Sequence, residues 1–425
     1  MAILERTSDN RETINSNIDP SSFIKIKINI EMASSNIADQ LSSSINEEEC
    51  LDILSKLIQI KSYSRTPGEN VATQYMADAM KSIGLDADVY RFGDDGSRQN
   101  AIGVWAGTQD SDASSSSGGA GKNLLFNGHL DTNPVSGGWT IDPWSGMRDK
   151  EFIYGIGVSN MKSGCAAYYC AVKALKESGW KPRGSVILTY VVGELQGGVG
   201  TIAAIEQGHC SNADYFVNCE PSDIRAITMH SESLVFRVVL KGVTRHMSAR
   251  EEAVDAILAA CELIPRLTGM VFSGAPSEEH RSINRCHVGV VHGALGENLD
   301  EWRPPQVADY VVLKGSARYA PGQTKEGVLV DLRKEIEAMV AEKFPGLTFE
   351  LRPTTDEPTM PAFQVSKDSV IVRSLNAAYQ AVRGEEQPTG VLPPTCFYGS
   401  DAGHLYKTLG MEGIVCGPGG RCSFS

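Results

Sequence analysis

The chain has 425 residues, of which 41% are hydrophobic and 21% are charged. This composition is typical of a soluble globular protein rather than a disordered or fibrous one, and the length is expected to divide between about two domains. Lysine and arginine total 39 against 52 acidic residues, giving a formal net charge of −13. That charge disfavours nucleic acid and anionic membranes as partners. The ten cysteines are scattered singly and no signal segment is predicted, so we expect a cytoplasmic protein.

The first half of the chain predicts an α/β domain. Residues 1–45 have no sustained hydrophobic period and are expected to form a flexible extension. Apolar residues at helical spacing then predict two helices, and strand-like runs alternate with helices beyond them. Such alternation favours a largely parallel mixed sheet flanked by helices. In chain order the predicted elements are helices Glu47–Ile60 and Asn70–Ile83, strands Ala101–Trp105 and Leu124–Phe126, helix Met161–Ser178, strand Ser185–Val192, helix Thr201–Glu206, and strands Tyr215–Asn218 and Leu234–Leu240.

The pattern changes after about residue 240. A β-α-β-β-α order indicates a small two-layer α+β domain, which we predict as an insertion over residues 239–353. A helix and a short strand then return to the first domain, whose predicted limits are 46–238 and 354–425. The elements concerned are helix Ala253–Leu267, strands His287–His292 and Asp309–Tyr319, helix Thr324–Lys343, helix Asp368–Val382 and strand Gly413–Val415.

Polar residues follow several of the predicted strands. His129 and Asp131 end the first buried strand, Glu194 follows the next, and Glu220 follows the one after it. Asn160 opens a helix between the first two of these positions. A neutral imidazole is a good zinc ligand, and an acid two residues later can receive its other ring N–H. The carboxyl ends of the strands are therefore the expected place for a ligand site.

These segments together resemble the aminoacylase, acetylornithine deacetylase and succinyl-diaminopimelate desuccinylase family of metallopeptidase-related amide hydrolases. The family patterns are approximately His-x-Asp, Gly-x-x-Asp-Met-Lys-Gly-Gly, Glu-Glu-x-Gly-Gly-x-Gly and Glu-Pro-Thr. The resemblance covers about residues 47 to 421 and extends to Lys241–Ser248, Gly399–Ala402 and Gly417–Gly420. It implies that the inserted domain closes over the pocket as a lid and forms a homodimer.

The resemblance assigns a role to each matching residue. It implies that His129 and Glu220 ligate a zinc ion and that Asp131 orients the His129 ring. It implies that Glu194 is the general acid/base that moves a proton from water to the leaving amine. It implies that His246 stabilises the oxyanion, usually across the dimer interface.

The expected substrate is a small N-acyl amino acid, dipeptide or related amino-acid-derived carboxylate. The resemblance places Arg318 where family members bind the substrate carboxylate, a role that suits a guanidinium. Cys396 and Asp401 lie in a segment that the family places beside the pocket, and both are predicted to contact substrate, as is Asn160. A lone cysteine is nevertheless more often inert.

Three departures from the family pattern put its two-zinc mechanism in doubt. Asn160 replaces the aspartate that bridges both metals, and Leu195 replaces a glutamate ligand. The family's last histidine ligand, expected after Gly417–Gly420, has no counterpart in residues 421–425. We therefore predict a degenerate metal site that holds either one zinc ion or none, with His129, Glu220 and a weak third ligand from Asn160 or His404.

Three functions remain open from the sequence. In the first, one zinc ion supports amide hydrolysis with Glu194 as the base. In the second, Glu194, His246 and Cys396 catalyse metal-independent amide formation, acyl transfer or lyase chemistry in the same pocket. In the third, the chain is a non-catalytic protein that binds a small molecule.

Overall fold

The computed structural model describes residues 44–108, 121–301, 303–354 and 358–419. The predicted extension over residues 1–45 lies almost entirely outside this part. In chain order the helices are α1 (Glu47–Gln59), α2 (Gly68–Ser82), α3 (Ser163–Glu177), α4 (Val199–Glu206), α5 (Ala256–Thr268), α6 (Glu278–Ser282), α7 (Lys325–Lys343), α8 (Val370–Arg383) and α9 (Ala402–Leu409). The strands are β1 (Asp86–Phe92), β2 (Arg98–Trp105), β3 (Leu124–His129), β4 (Val186–Val191), β5 (Tyr215–Asn218), β6 (Ala226–Ile227), β7 (Met229–His230), β8 (Glu232–Lys241), β9 (Arg285–Ala294), β10 (Tyr310–Tyr319), β11 (Thr348–Pro353), β12 (Phe363–Gln364), β13 (Thr389–Gly390) and β14 (Glu412–Val415).

The chain divides into two compact units. The first comprises Met1–Thr228, Val365–Gly390 and Ser400–Ser425, and the second comprises Met229–Gln364 and Val391–Gly399. The second unit therefore includes a short segment near residue 395 that the sequence placed with the catalytic domain. The division into functional domains at 46–238, 239–353 and 354–425 stays a prediction.

The first unit contains an eight-stranded mixed sheet flanked by helices, as predicted. Its strand order is β1-β2-β4-β3-β5-β14-β6-β13. The central strands β4, β3, β5 and β14 are mutually parallel, whereas β1 and β2 run antiparallel to their neighbours. Parallel neighbours bring the segments that follow β3, β4 and β5 to one edge of the sheet.

Helix α1 shows how local sequence produces these elements. Its N-cap Asn46 accepts a hydrogen bond from the Glu49 backbone N–H, and three glutamates occupy the first turn, where the helix dipole favours negative charge. Its buried residues recur at intervals of three and four and form one apolar stripe. These residues are Cys50, Ile53, Leu54, Leu57 and Ile58.

The second unit is a two-layer α+β structure, again as predicted. Its four antiparallel strands lie in the order β11-β8-β10-β9, and helices α5 and α7 pack on one face. Fully buried Phe236, Leu263 and Leu332 join the sheet to the helices in one core. The other sheet face carries the alternate residues of each strand.

The structure adds the short elements α6, β6, β7, β12 and β13 to the predicted list. Helix α9 and the longer strands β1 and β11 were also not predicted, and the four-stranded sheet with helices α5 and α7 therefore follows the order β-α-β-β-α-β. Strands β1 and β11 lie at sheet edges, where few of their residues are buried and the apolar pattern is weak. In the described part of the chain, no helix combines the length and apolar character needed to cross a membrane.

Candidate functional site

Three side chains converge at the carboxyl edge of the eight-stranded sheet. His129 ends β3, Glu194 follows β4, and Glu220 follows β5. All three are buried, and their potential ligand atoms lie within 4.8 Å of one another. An imidazole and two carboxylates at this separation could hold a metal ion such as zinc. Within the described ranges, no other group of three His, Cys, Asp or Glu side chains is arranged in this way.

The His129 ring is held by acceptors on both sides. Its Nδ1 atom lies 2.9 Å from the Asp131 carbonyl oxygen and 3.4 Å from Asp131 Oδ1. Its Nε2 atom lies 2.9 Å from Asn160 Oδ1, 3.4 Å from Glu220 Oε1 and 3.8 Å from Glu194 Oε2. A doubly protonated ring satisfies this arrangement. A cation that replaced the Nε2 proton would satisfy it equally, with the Nδ1 proton still donated to Asp131.

Asp131 also anchors the turn that carries Glu194. The fully buried Asp131 carboxylate accepts a hydrogen bond from the Ser64 hydroxyl at 2.6 Å. It further accepts backbone N–H groups of Glu194 at 3.3 Å and Leu195 at 3.5 Å. One side chain therefore orients both the imidazole and the turn that presents the glutamate.

The electrostatics of the cluster favour a bound cation. Burial opposes the charged imidazole, but hydrogen bonds that the ring donates to the Asp131 and Glu220 carboxylates outweigh it and raise the pKa of His129 well above its ordinary value. Burial raises the pKa of Glu194 well above the ordinary range; His129 opposes the rise, whereas Glu220 and Asp401 add to it. The buried acids outnumber the one imidazole, and excess buried negative charge is costly unless it is protonated or neutralised.

Asn160 and Leu195 occupy the positions identified as departures from the family pattern. Asn160 lies in the irregular segment Val158–Lys162 before α3, and its amide oxygen faces His129. The peptide bond between Asn160 and Met161 is cis. Leu195 follows Glu194 directly and offers no ligand atom through its side chain.

Asp401 and His404 lie at the start of α9 in the same unit. Asp401 is fully buried, and within the described residues neither carboxylate oxygen has a well-formed hydrogen bond. Burial raises the pKa of Asp401 to about 7, although His129 and the Thr201 hydroxyl partly offset the effect. The Nε2 atom of His404 lies 2.8 Å from the Gly197 carbonyl oxygen, so this nitrogen contacts the backbone that follows Glu194.

The other predicted site residues belong to the second unit. His246 is exposed, and its Nδ1 atom accepts the Ser248 backbone N–H at 3.2 Å as a helix cap. Arg318 lies on β10 and is partly buried. Cys396 is fully buried in an apolar cluster with Ile283 and neighbouring residues, which is the environment of an inert thiol.

Ser64 and Lys162 are two buried or partly buried residues near the site for which the sequence predicts no role. The Lys162 side chain is fully buried, and its ammonium group donates to the carbonyl oxygens of Leu57 at 2.7 Å and Ile60 at 3.3 Å. Burial lowers the pKa of Lys162 to about 7. The sequence contains one indication of this role. Lys162 lies two residues after Asn160 and next to the buried residues that begin α3, where a lysine is unusual.

Comparison with known proteins agrees with this geometry. Residues 125–424 match the profile of peptidase family M20/M25/M40. The chain is 24% identical over 393 residues to N-formyl-4-amino-5-aminomethyl-2-methylpyrimidine deformylase of Halalkalibacterium halodurans, with 88% of each chain covered. It is 29% identical over 220 residues to succinyl-diaminopimelate desuccinylase of Gluconacetobacter diazotrophicus, covering 49% of this chain and 54% of that one.

The fold is also shared with solved structures. A tripeptidase from Staphylococcus aureus superimposes with a TM-score of 0.65 at 20% identity, covering 88% of this chain and 90% of that one. The predicted resemblance is thus confirmed over most of the chain. The convergence of His129, Glu194 and Glu220 and the profile match together show that the chain belongs to peptidase family M20/M25/M40, a family of amide-bond hydrolases.

Proposed function

We propose that this chain hydrolyses the amide bond of a small N-acyl amino acid, dipeptide or related amino-acid-derived carboxylate, with Glu194 as the general acid/base and without the two-zinc mechanism. The observation that carries the proposal is the buried Glu194 carboxylate beside His129 and Glu220. Burial raises its pKa, which suits a group that must both accept and return a proton. The names of the relatives, a deformylase and a desuccinylase, support N-acyl cleavage.

The donor set fits one zinc ion better than two. His129 and Glu220 would hold it, with the Asn160 amide oxygen as a weak third ligand. When bound, the ion would supply Lewis-acid polarisation of the scissile carbonyl. A second ion would lack two ligands, because an amide bridges dications poorly and Leu195 cannot ligate.

Each side chain of the site has a separate role in the proposed hydrolysis. Glu194 accepts a proton from the attacking water as the C–O bond forms, and returns it to the amine nitrogen as the C–N bond breaks. Asp131 keeps the His129 ring in the tautomer that leaves Nε2 free for a ligand. Arg318 binds the substrate carboxylate, and His246 stabilises the oxyanion. Asp401 adds a further buried acid, whose charge acts on Glu194.

The second unit is proposed to form a homodimer. Strand β9 is an edge of the four-stranded sheet, and unpaired edges are ready to add another strand. Apolar side chains are exposed on β9 and on helix α5 that packs against it, namely Val290 at 38%, Val291 at 49%, Ile257 at 41% and Leu258 at 56%. Exposed apolar patches of this kind mark protein interfaces. We expect a mass in solution near twice that of the chain.

Metal-independent chemistry in the same pocket is the second candidate. Asn160 and Leu195 favour it, because they remove two acidic ligands from the site. Asp401 also supports this candidate. Burial raises its pKa to about 7, so its carboxyl group can exchange a proton near neutral pH. In this case Glu194 and Asp401 would act as the acid/base pair.

The test is metal analysis of the purified protein combined with turnover of N-acyl amino acids before and after chelation. About one zinc ion per chain with chelator-sensitive activity supports the proposal, whereas about two ions contradict it. Retained turnover without metal favours the second candidate.

A matched pair of variants tests the role of Glu194. Glu194→Gln is expected to lower kcat by roughly 10²- to 10⁴-fold, the usual contribution of a general acid/base. Glu206→Gln, an exposed glutamate on α4, should leave kcat unchanged. Unchanged turnover in Glu194→Gln would exclude both catalytic schemes.

A further inference from the structure

Helix α2 and strand β2 are joined by a buried ion pair. Arg98 on β2 donates from Nε to Oε2 of Glu69 at 2.9 Å and from Nη2 to Oε1 at 2.6 Å, which is a bidentate arrangement. Glu69 lies on α2 and is 1% exposed, and its Oε1 atom also accepts the Arg65 backbone N–H at 3.2 Å. The plane of the guanidinium group is therefore fixed by residues that take no part in the proposed chemistry.

The remaining nitrogen of Arg98 reaches the turn that carries Glu194. Its Nη1 atom donates to Oε1 of Gln196 at 2.8 Å, and Gln196 is buried. The close approach is possible because Gly193 has no side chain: a Cβ atom there would lie 2.6 Å from Nη2 and 3.0 Å from Nη1. Any larger residue at this position would separate the arginine from the turn.

The turn itself, residues 193–198, has little intrinsic rigidity. Gly193, Gly197 and Gly198 all have left-handed backbone angles, with φ of 84°, 76° and 78°, and glycine is the residue with the greatest conformational freedom to lose. Backbone hydrogen bonds close the turn, among them Gly197 N–H to the Glu194 carbonyl at 3.0 Å. Such a turn depends on surrounding side chains to hold a single conformation.

Three side chains from outside the turn hold it in place. Asp131 accepts backbone N–H groups at its beginning, and His404 contacts the Gly197 carbonyl oxygen near its end. Arg98 is the third, through the side chain of Gln196. Asp131 and His404 belong to the site, whereas Arg98 acts on the turn from outside it.

Stability alone does not account for a buried arginine at this position. Replacing a buried ion pair by well-packed apolar residues is often neutral or stabilising, because the desolvation of the charges offsets their attraction. An apolar pair would supply no donor to the Gln196 oxygen. The fork of a guanidinium group, by contrast, binds Glu69 and Gln196 at the same time. The arrangement therefore favours a role in orienting the turn.

We propose that Arg98 is a positioning residue for Glu194. Clamped by Glu69, it fixes the turn through Gln196 and so places the Glu194 carboxylate for proton transfer. The inference rests on the proposed function, in which Glu194 is the general acid/base. A displacement of about 1 Å in a reacting group can lower a rate by about 10²-fold, so partial loosening of the turn is expected to lower kcat by about tenfold.

A matched set of glutamine variants of the full chain tests the inference. The substrate is the N-acetyl amino acid that wild type hydrolyses fastest. Gln196→Met keeps the length of the side chain and removes the amide oxygen, and it should lower kcat by about tenfold with KM unchanged. Gln196→Glu keeps an acceptor for the guanidinium group and should restore most of kcat. Gln207→Met, the control, removes an exposed 2.8 Å hydrogen bond to the Arg91 carbonyl oxygen and should leave kcat unchanged.

A double-mutant cycle shows whether Arg98 acts through Gln196. Arg98→Lys keeps a positive charge beside Glu69 but loses the fork, so the contact with Gln196 is lost. In that background Gln196→Met should lower kcat no further. The same tenfold loss in both backgrounds would show that the two residues act independently and would overturn the inference.

Amide hydrogen exchange measures the turn without reference to activity. Gln196→Met should raise the exchange rate of the Gly197 and Gly198 amides by about tenfold, whereas the amides of β5 should exchange as in wild type. Unchanged exchange at the turn, an equal rise throughout the first unit, or raised exchange with unchanged kcat would each overturn the inference. If wild type hydrolyses no N-acyl amino acid and the variant still shows the local rise, the proposed function is refuted while the role of Arg98 in holding the turn remains.

Discussion

Replacing Asp401 by asparagine should make the stability of the metal-free protein less dependent on pH. The carboxyl group is fully buried, and burial raises its pKa from an ordinary 3.8 to about 7. Between these values the folded state holds a proton that the unfolded state has released, so stability falls as pH rises toward 7. From pH 5 to the folded pKa of about 7 is two units, and each unit is worth about 1.4 kcal/mol. Wild type should therefore lose about 3 kcal/mol that Asp401→Asn does not lose.

The assay is urea unfolding of the chelator-treated protein at pH 5 and pH 8. Comparing the change between the two pH values cancels the cost of burying the new amide, because that cost is the same at both. Asp368→Asn, an exposed aspartate in the same unit, should behave as wild type. Equal losses of stability between pH 5 and pH 8 in wild type and Asp401→Asn would show that folded Asp401 is already ionised at pH 5. Its pKa would then not be raised by burial.

Three further predictions concern the site and the cores of the two units, and one of them has a matched control. Asp131→Asn should lower zinc affinity by about 10- to 100-fold, because it weakens the acceptor that orients the metal-binding ring; competition with a chromophoric chelator measures this, and unchanged affinity would contradict the role. Leu263→Ala should cost about 2–5 kcal/mol because the side chain is fully buried, whereas Val330→Ala on α7, at 49% exposure and outside the proposed dimer interface, should cost less than about 0.5 kcal/mol in the same unfolding experiment. Arg98→Met should cost about 3–5 kcal/mol, because it removes the 2.6 Å ion pair of the buried Glu69 carboxylate; a smaller loss above pH 7 than at pH 5 would contradict this account.

Much of the fold was predictable because its signals are local. The spacing of apolar residues in α1 needs no tertiary contact to be recognised, and its stripe is buried as predicted. Strand β1 was missed because its burial depends on pairing with β2, and several of its side chains are charged and exposed. Strand β11 was missed for the same reason, since its register is set by β8 more than a hundred residues earlier.

In the candidate site, too, some features could be predicted from local sequence and others depend on contacts between distant segments. His129, Glu194 and Glu220 could be selected because each follows a strand, and parallel strands end at one edge. The contact of Ser64 with Asp131 could not be predicted, because it joins residues on separate elements through a 2.6 Å hydrogen bond. The fully buried environment of Lys162 was equally invisible in the sequence.

The amino-acid sequence identifies the chemical groups at the strand ends, and it includes Asn160 and Leu195, from which a departure from the family's two-zinc pattern is predicted. The protonation of the histidine and the acids among these groups depends on the folded structure. A pKa depends on burial and on the distance to other charges, and both arise from contacts between distant segments. The burial of the Asp401 carboxylate among His129, Thr201 and Glu220 is a consequence of packing, which no local pattern encodes.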